Sequence, residues 1–311
     1  MFRRLLIFIV LFFSGLVSSG QSKQVCFSFD DLPVVSYGLS DTVYQKGIID
    51  KLIVSLVRNK IPAIGFVNEI KLHDNDVINR FQLELLNSWV DNGLDLGNHT
   101  YSHPDYNSVS FEVFTQDLIK GETITRNILN SKGKSVRYFR HPFLHTGNTK
   151  ARADSLNYFL FKKGYLVAPV TIDNEDYLFA SAYYKAGRKK DKELMSQIGH
   201  DYITYMEKKL KYFEIQSDSL FGRKIKQILL LHVSSLNSDY IDSLVLMFQR
   251  NSYIFVDMDR ALEDKVYQTE ITRFGNWGIS WIDRWALSMG KKGSFFKDEP
   301  LTPEYIRKLS E

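Results

Sequence analysis

The stretch VCFSFDD at residues 25–31 is a short apolar run that ends abruptly in two adjacent carboxylates. Apolar side chains on both faces suit a strand covered by helices on both sides of its sheet. Six similar runs follow it, at Ala63–Val67, Leu94–Gly97, Val136–Arg140, Tyr165–Ile172, Gln227–His232 and Tyr253–Val256. Between them, apolar residues recur at helical spacing over Ile48–Val57, Val77–Val90, Phe111–Leu129 (after Ser110 as a cap) and Ile241–Phe248. Strands alternating with helices predict parallel strands joined by crossover helices. About seven such units fit one α/β barrel better than an open sheet with a second domain. The tyrosine-rich, charged region Tyr183–Phe221 predicts helices inserted before the sixth strand. Trp277, Trp281 and Trp285, spaced four apart, predict a C-terminal helix docked on the domain.

Composition narrows the function classes. With 311 residues, 44% of them hydrophobic, 24% charged and only one cysteine, the chain is neither disordered nor collagen-like nor stapled by disulfides. Forty basic against 36 acidic residues give a net charge of +4, which argues against a nucleic-acid partner. Residues 1–20 read as a secretory signal: Arg3 and Arg4, the apolar run Leu5–Phe13, then Ser18, Ser19 and Gly20. Ser14 and Gly15 end that run too early for a spanning helix, so no stable membrane anchor is expected after cleavage. The mature chain, residues 21–311, is expected in the periplasm or outside the cell. Cys26, alone in an apolar strand, is expected to pack as a small hydrophobe.

Residues able to do chemistry recur at the C-terminal ends of the proposed strands, where α/β barrels carry their active sites. The first strand ends in Asp30 and Asp31. The third runs into His99-Thr100-Tyr101-Ser102-His103, whose histidines four apart would share one face of a helical turn. Two imidazoles and a carboxylate make the three-ligand set of a catalytic zinc site. The fourth ends in Arg140-His141-Pro142-Phe143, where Arg140 would hold a carboxylate by a bidentate pair and keep its pKa low. The fifth is followed by Asp173, Glu175 and Asp176, acids able to orient an arginine or a histidine. The sixth ends in His232, a candidate general acid or base. A glycoside hydrolase would leave both histidines unexplained, and a two-metal phosphoesterase would need a second ligand cluster.

In order, FSFDD (27–31), HTYSH (99–103), RHPF (140–143), the Asp173–Asp176 segment and LLH (230–232) resemble the five motifs of the polysaccharide deacetylase family, also called NodB-homology or carbohydrate esterase 4. The resemblance implies a distorted (β/α)7 barrel, here with an inserted helical segment and a C-terminal helix. It also implies a divalent metal, usually zinc, with cobalt, nickel or manganese as alternatives, that serves to remove N-acetyl or sometimes O-acetyl groups from a poly- or oligosaccharide. Carried over by position, Asp30 is the general base, and Asp31, His99 and His103 hold the metal. Arg140 pairs with the base, Pro142 and Phe143 line the substrate site with the N–H after Pro142 facing the oxyanion, and Leu230 lines the acetyl pocket. His232 is the general acid, tuned by Asp176, with Asp173 as the competitor. Asp176-Tyr177 stands where the family often shows Asp-Trp. The long interval between Asp31 and His99 leaves room for Phe66-Val67-Asn68-Glu69, which is expected to reshape the substrate groove. The resemblance also allows two other readings: a secreted carbohydrate-binding protein without turnover, and a hydrolase of small non-sugar amides.

Overall fold

The computed structural model describes residues 22–311; the leader expected over residues 1–20 lies outside the described residues. The chain opens with β1 (Lys23–Leu32) and α1 (Thr42–Arg58), followed by β2 (Ile64–Val67) and a small hairpin of β3 (His73–Asp74) and β4 (Val77–Ile78). Next come α2 (Arg80–Asp91), β5 (Asp95–Asn98), α3 (Phe111–Lys120), α4 (Thr123–Ser131), β6 (Tyr138–Phe139), α5 (Lys150–Lys162) and β7 (Leu166–Val167). The inserted helices are α6 (Asp176–Arg188) and α7 (Lys192–Phe221), and they precede β8 (Gln227–His232) as the sequence predicts. The remaining elements are α8 (Ser235–Arg250), β9 (Tyr253–Phe255), α9 (Met258–Leu262), α10 (Trp281–Ser288) and α11 (Glu304–Ser310).

The seven strands form one curled parallel sheet in the order β7-β6-β5-β2-β1-β8, with β9 pairing the first three residues of β1. Beyond β7 the chain bends across the open side, and a parallel bridge between Ile172 and Leu229 joins it to β8. The result is the distorted α/β barrel expected. Among the described residues no helix is long and apolar enough to cross a membrane.

Period-two alternation sorts β1 into two faces. Val25, Phe27 and Phe29 face the surrounding helices, where Phe27 packs edge-on against Phe248 of α8 and Phe29 against Trp89 of α2. Cys26 joins Ile64, Phe66, Tyr138, Ala168 and Ile228 in a separate cluster, floored by Met258 and Ala261 of α9. Ser28 and Asp30 continue that face upward. The barrel interior is therefore apolar at its base and polar at its top, where the strands end.

Four sequence expectations are corrected. The helix predicted over Val77–Val90 starts at Arg80 because Asn79 caps it, and Val77 and Ile78 pair with the preceding strand. The helix predicted over Phe111–Leu129 breaks at Gly121, which lies directly against the backbone of Thr100 and Tyr101. The strand predicted over Tyr165–Ile172 pairs with β6 only at its start before it crosses to β8. Trp277 lies outside the C-terminal helix, since Ser280 caps α10 at Trp281, and only Trp281 and Trp285 are helical.

Candidate functional site

Asp31, next to the last residue of β1, has a left-handed backbone (φ 65°) and a partly exposed carboxylate, whereas Asp30 before it is buried. The Lys71 ammonium donates to the Asp31 carbonyl at 2.6 Å. Burial opposes the charge on Asp31, but Lys71, His232 and the two nearby histidines outweigh it and hold the carboxyl below the usual range. Lys71 was not singled out in the sequence. Its only signal is that it lies in the interval before His99, and that interval serves the frame: Asn68 donates to the His99 carbonyl at 2.6 Å, and the buried Glu69 accepts from the N–H groups of Ile124 and Thr125 at the start of α4. The expectation that Phe66–Glu69 reshapes the substrate groove is thus corrected, because these side chains are turned into the protein.

His99 and His103 converge, though not on a helical turn. Thr100 and His103 adopt φ 68° and 60°, and the loop between them is tied by Asp117, which accepts from the N–H groups of Tyr101 and Ser102 at 2.8 and 2.9 Å. A looped path brings the rings to a centroid separation of 4.8 Å. His99 Nδ1 donates to the Arg140 carbonyl at 2.8 Å, which leaves Nε2 as its free ligand atom. Burial pushes the pKa values of both histidines down to about 4, so both rings are neutral at physiological pH. One donor atom from each of Asp31, His99 and His103 lies within 4.8 Å of the others, so the three could hold a metal ion. One oxygen and two neutral nitrogens from three residues suit a divalent ion with open coordination positions. The close approach of Gly121 sets this loop. Gly121→Ala is expected to push the Thr100–Tyr101 backbone outward, to lower stability by about 1–3 kcal/mol and to weaken metal binding, as read by thermal melting and metal titration.

Asp30 is buried beside the cluster, its Oδ2 3.7 Å from His99 Nε2. Arg140 approaches it from below through a single contact of 3.5 Å from Nη1 to Oδ1, while Nη2 donates to Ser28 Oγ at 2.8 Å and the guanidinium stacks over Phe66. The expected bidentate pair and low pKa are corrected: burial dominates and raises Asp30 to about 6, against the opposing charges of Arg140 and His232.

After Arg140 the chain makes a tight turn at Pro142-Phe143-Leu144, in which Phe143 and Leu144 both take left-handed φ values, 55° and 53°. Bulky residues hold that conformation only where the surroundings enforce it. The brace comes from the far end of the chain. Buried Arg284 on α10 donates from Nη2 to the carbonyls of Leu144 at 2.7 Å and Trp277 at 2.8 Å, and Gly278 lies flush on the Phe143 carbonyl with no room for a Cβ. Neither Arg284 nor Gly278 carries a local sequence signal.

His232 stands beside Asp30 at the barrel mouth, since Asp30 and His232 are register partners on adjacent strands. Asp176, the first residue of α6, lies 2.7 Å from His232 Nδ1 through Oδ1, and its Oδ2 accepts from the His232 N–H at 2.9 Å and from Asn237 at 2.7 Å. Tyr202 in turn donates to Asn237 Oδ1 at 2.6 Å. Burial works against charge on His232, but Asp176, with Asp31 and Asp30, prevails and raises it to about 9. Asp173 does not touch His232; it accepts from the Asn174 N–H at 2.8 Å, and burial raises it to about 6 against Lys209. Leu230 lies one inward position below His232. A pocket of about 710 Å³ collects Asp30, Asp31, His99, His103, Phe143 and His232 in one lining, together with Leu230 and Asp173. Arg140 and Pro142 are buried and not part of that lining, which corrects the expectation that Pro142 lines the substrate site.

Comparison with known proteins follows from this geometry. A family model described as polysaccharide deacetylase matches residues 18–159. Among solved structures, the chain is similar to the chitin deacetylase of the fungal pathogen Colletotrichum lindemuthianum, with 19% identity, 78% of this chain and 88% of that chain covered, and a TM-score of 0.51. It is also similar to the Bc1960 peptidoglycan N-acetylglucosamine deacetylase, with 14% identity, coverage of 78% and 88%, and a TM-score of 0.50. At these identities the likeness shows the fold alone. A family 4 carbohydrate esterase pseudoenzyme from Bacillus anthracis is similar as well, at 14% identity, 78% and 66% coverage and a TM-score of 0.47. No curated protein matches the sequence.

Proposed function

We propose that the chain is a member of the polysaccharide deacetylase family, whose model matches residues 18–159, and that it is an exported, metal-dependent hydrolase of N-acetyl groups, or O-acetyl groups, on a poly- or oligosaccharide. The observation that carries the reading is the shared pocket: a raised carboxyl, a three-donor cluster and a carboxylate-held imidazole open into one cavity. Asp31, His99 and His103 would hold a divalent metal, zinc by donor set, which when bound supplies Lewis acidity for a poorly electrophilic amide carbonyl and for water.

The chain's own residues supply the rest. Asp30, poised near pH 6 by burial, takes the proton of the attacking water. The Phe143 N–H, presented by its left-handed turn, donates to the oxyanion, and preorganised donors of this kind are worth roughly 2.7–4 kcal/mol. Leu230 supplies an apolar wall for the acetyl methyl. An amine cannot depart as an anion, so His232 on the neighbouring strand delivers a proton to it from Nε2, while Asp176 keeps Nδ1 protonated and the ring aligned. Acetate and a free amino sugar result.

The test is acetate release by the mature chain from a panel of acetylated saccharides, with and without chelator. Release that stops on chelation and returns with zinc or cobalt is expected. Full activity in a metal-free sample defeats the metal assignment, and tight saccharide binding without acetate favours the binding protein instead.

A further inference from the structure

Asp105 and His145 form a second carboxylate–imidazole pair at the pocket. Asp105 follows the HTYSHP stretch and His145 follows RHPFL, so the pair joins two of the loops that build the site. His145 Nδ1 lies 2.6 Å from Asp105 Oδ1. Asp105 is itself fixed by the Asn107 N–H at 2.8 Å and Ser108 Oγ at 2.6 Å. The His103 and Phe143 rings are 4.4 Å apart and the Phe143 and His145 rings 5.8 Å apart, so His145 stands one aromatic ring outward from the metal cluster. It lines the same pocket.

A carboxylate on Nδ1 keeps a proton on that nitrogen and leaves Nε2 free to pair with a hydroxyl, which can both donate and accept. Nε2 makes no hydrogen bond to any described residue, and it is not sealed in the interior. Neither the proposed proton transfers nor the metal cluster uses it. Half-exposed Phe143 and Tyr177 offer apolar faces in the same lining. We propose that His145 Nε2 forms a hydrogen bond with a substrate hydroxyl, one ring outward from the acyl group, and so selects hydroxyl-bearing saccharides over amides that lack hydroxyls. The inference deepens the deacetylase reading and rests on it. Sites built to pair a substrate hydroxyl discriminate more sharply than apolar pockets do, because an analogue without it leaves the protein group unpaired.

His145→Asn separates recognition from mere tethering of the loops. The Asn amide nitrogen can occupy the position of Nδ1 and keep the bond to Asp105, but nothing replaces Nε2; His145→Gln does the converse. With tri-N-acetylchitotriose as probe, His145→Asn is expected to raise KM about tenfold, the worth of one hydrogen bond, with a smaller change in kcat, and His145→Gln to recover part of the loss. With N-cyclohexylacetamide, a ring amide without hydroxyls, the same variant should lose far less. Wild-type behaviour of His145→Asn on the saccharide overturns the proposal, as does an equal loss on both probes. Calorimetric binding of tri-N-acetylchitotriose, measured in parallel, isolates the two claims. Binding by wild type that weakens in His145→Asn without any acetate release sinks the deacetylase reading and keeps this one, whereas no saccharide binding by wild type sinks this one.

Discussion

Asp30→Asn is expected to retain the metal and lose turnover by about 100- to 10,000-fold, the range measured for positioned general bases. The substitution keeps the side chain's volume beside Arg140 but removes the group that accepts a proton. Asp30 takes no part in the three-donor cluster, so the amide should leave metal content near that of wild type. His99→Ala removes a ligand whose ring is locked by the Arg140 carbonyl and should lose the metal itself. Metal analysis of both purified variants, beside acetate release, separates the roles; equal metal content in the two contradicts the division. The sign of the pH dependence follows from the raised carboxyl. A base must be ionised, so activity should rise as pH passes through about 6, higher than an ordinary aspartate would allow.

The second large effect belongs to the neighbouring strand. Asp176→Asn is expected to lower kcat by roughly 100-fold or more and to shift the alkaline limb of the pH profile toward neutrality. A general acid must be protonated, so the wild-type limb should fall as pH rises through about 9, where His232 titrates. Asparagine fills the same space but removes the charge that most strongly raises His232. The linkage to folding has the same sign: a histidine raised above its unfolded value of about 6.5 contributes stability below that pH and loses it as pH climbs through the folded value. Between pH 7 and 9 the melting temperature of wild type should therefore fall more steeply than that of Asp176→Asn. An unmoved alkaline limb in the variant would remove His232, or its hold by Asp176, from the mechanism.

Much of this arrangement was legible in one dimension because strands advertise themselves. Asp30 and His232 each end an apolar run, and a polar residue emerging from such a run at a barrel mouth has few places to point. Other features depended on conformations that side-chain spacing does not encode. His99 and His103 meet through a loop with two left-handed residues, and a helical turn was the wrong reason for the right convergence. The charge pattern predicts a bidentate pair for Arg140 because it says nothing of how deeply Asp30 is sunk, and it is burial that decides its protonation. The break at Gly121 had a local signal, a glycine inside a helical pattern, but its cause, contact with Thr100 and Tyr101, lies across the fold. Lys71, Asn237 and Arg284 reach the site only through tertiary proximity, whereas Asp105 and His145 each follow a motif directly and only their pairing depends on the fold.

The brace from α10 redraws the edge of the working unit. The family match stops at residue 159 and the last motif at His232, so motif inspection alone would treat everything beyond the seventh strand as trim. Arg284 and Gly278 make that boundary misleading. A chain cut after α9 would keep every residue placed in the three-donor cluster or the proton transfers and still lose the clamp on Phe143 and Leu144. Loss of the Arg284 clamp alone should leave the metal-holding residues in place yet impair turnover, a phenotype easily mistaken for natural loss of activity. Judging whether a relative of this chain is active therefore requires inspecting the tail as well as the motifs.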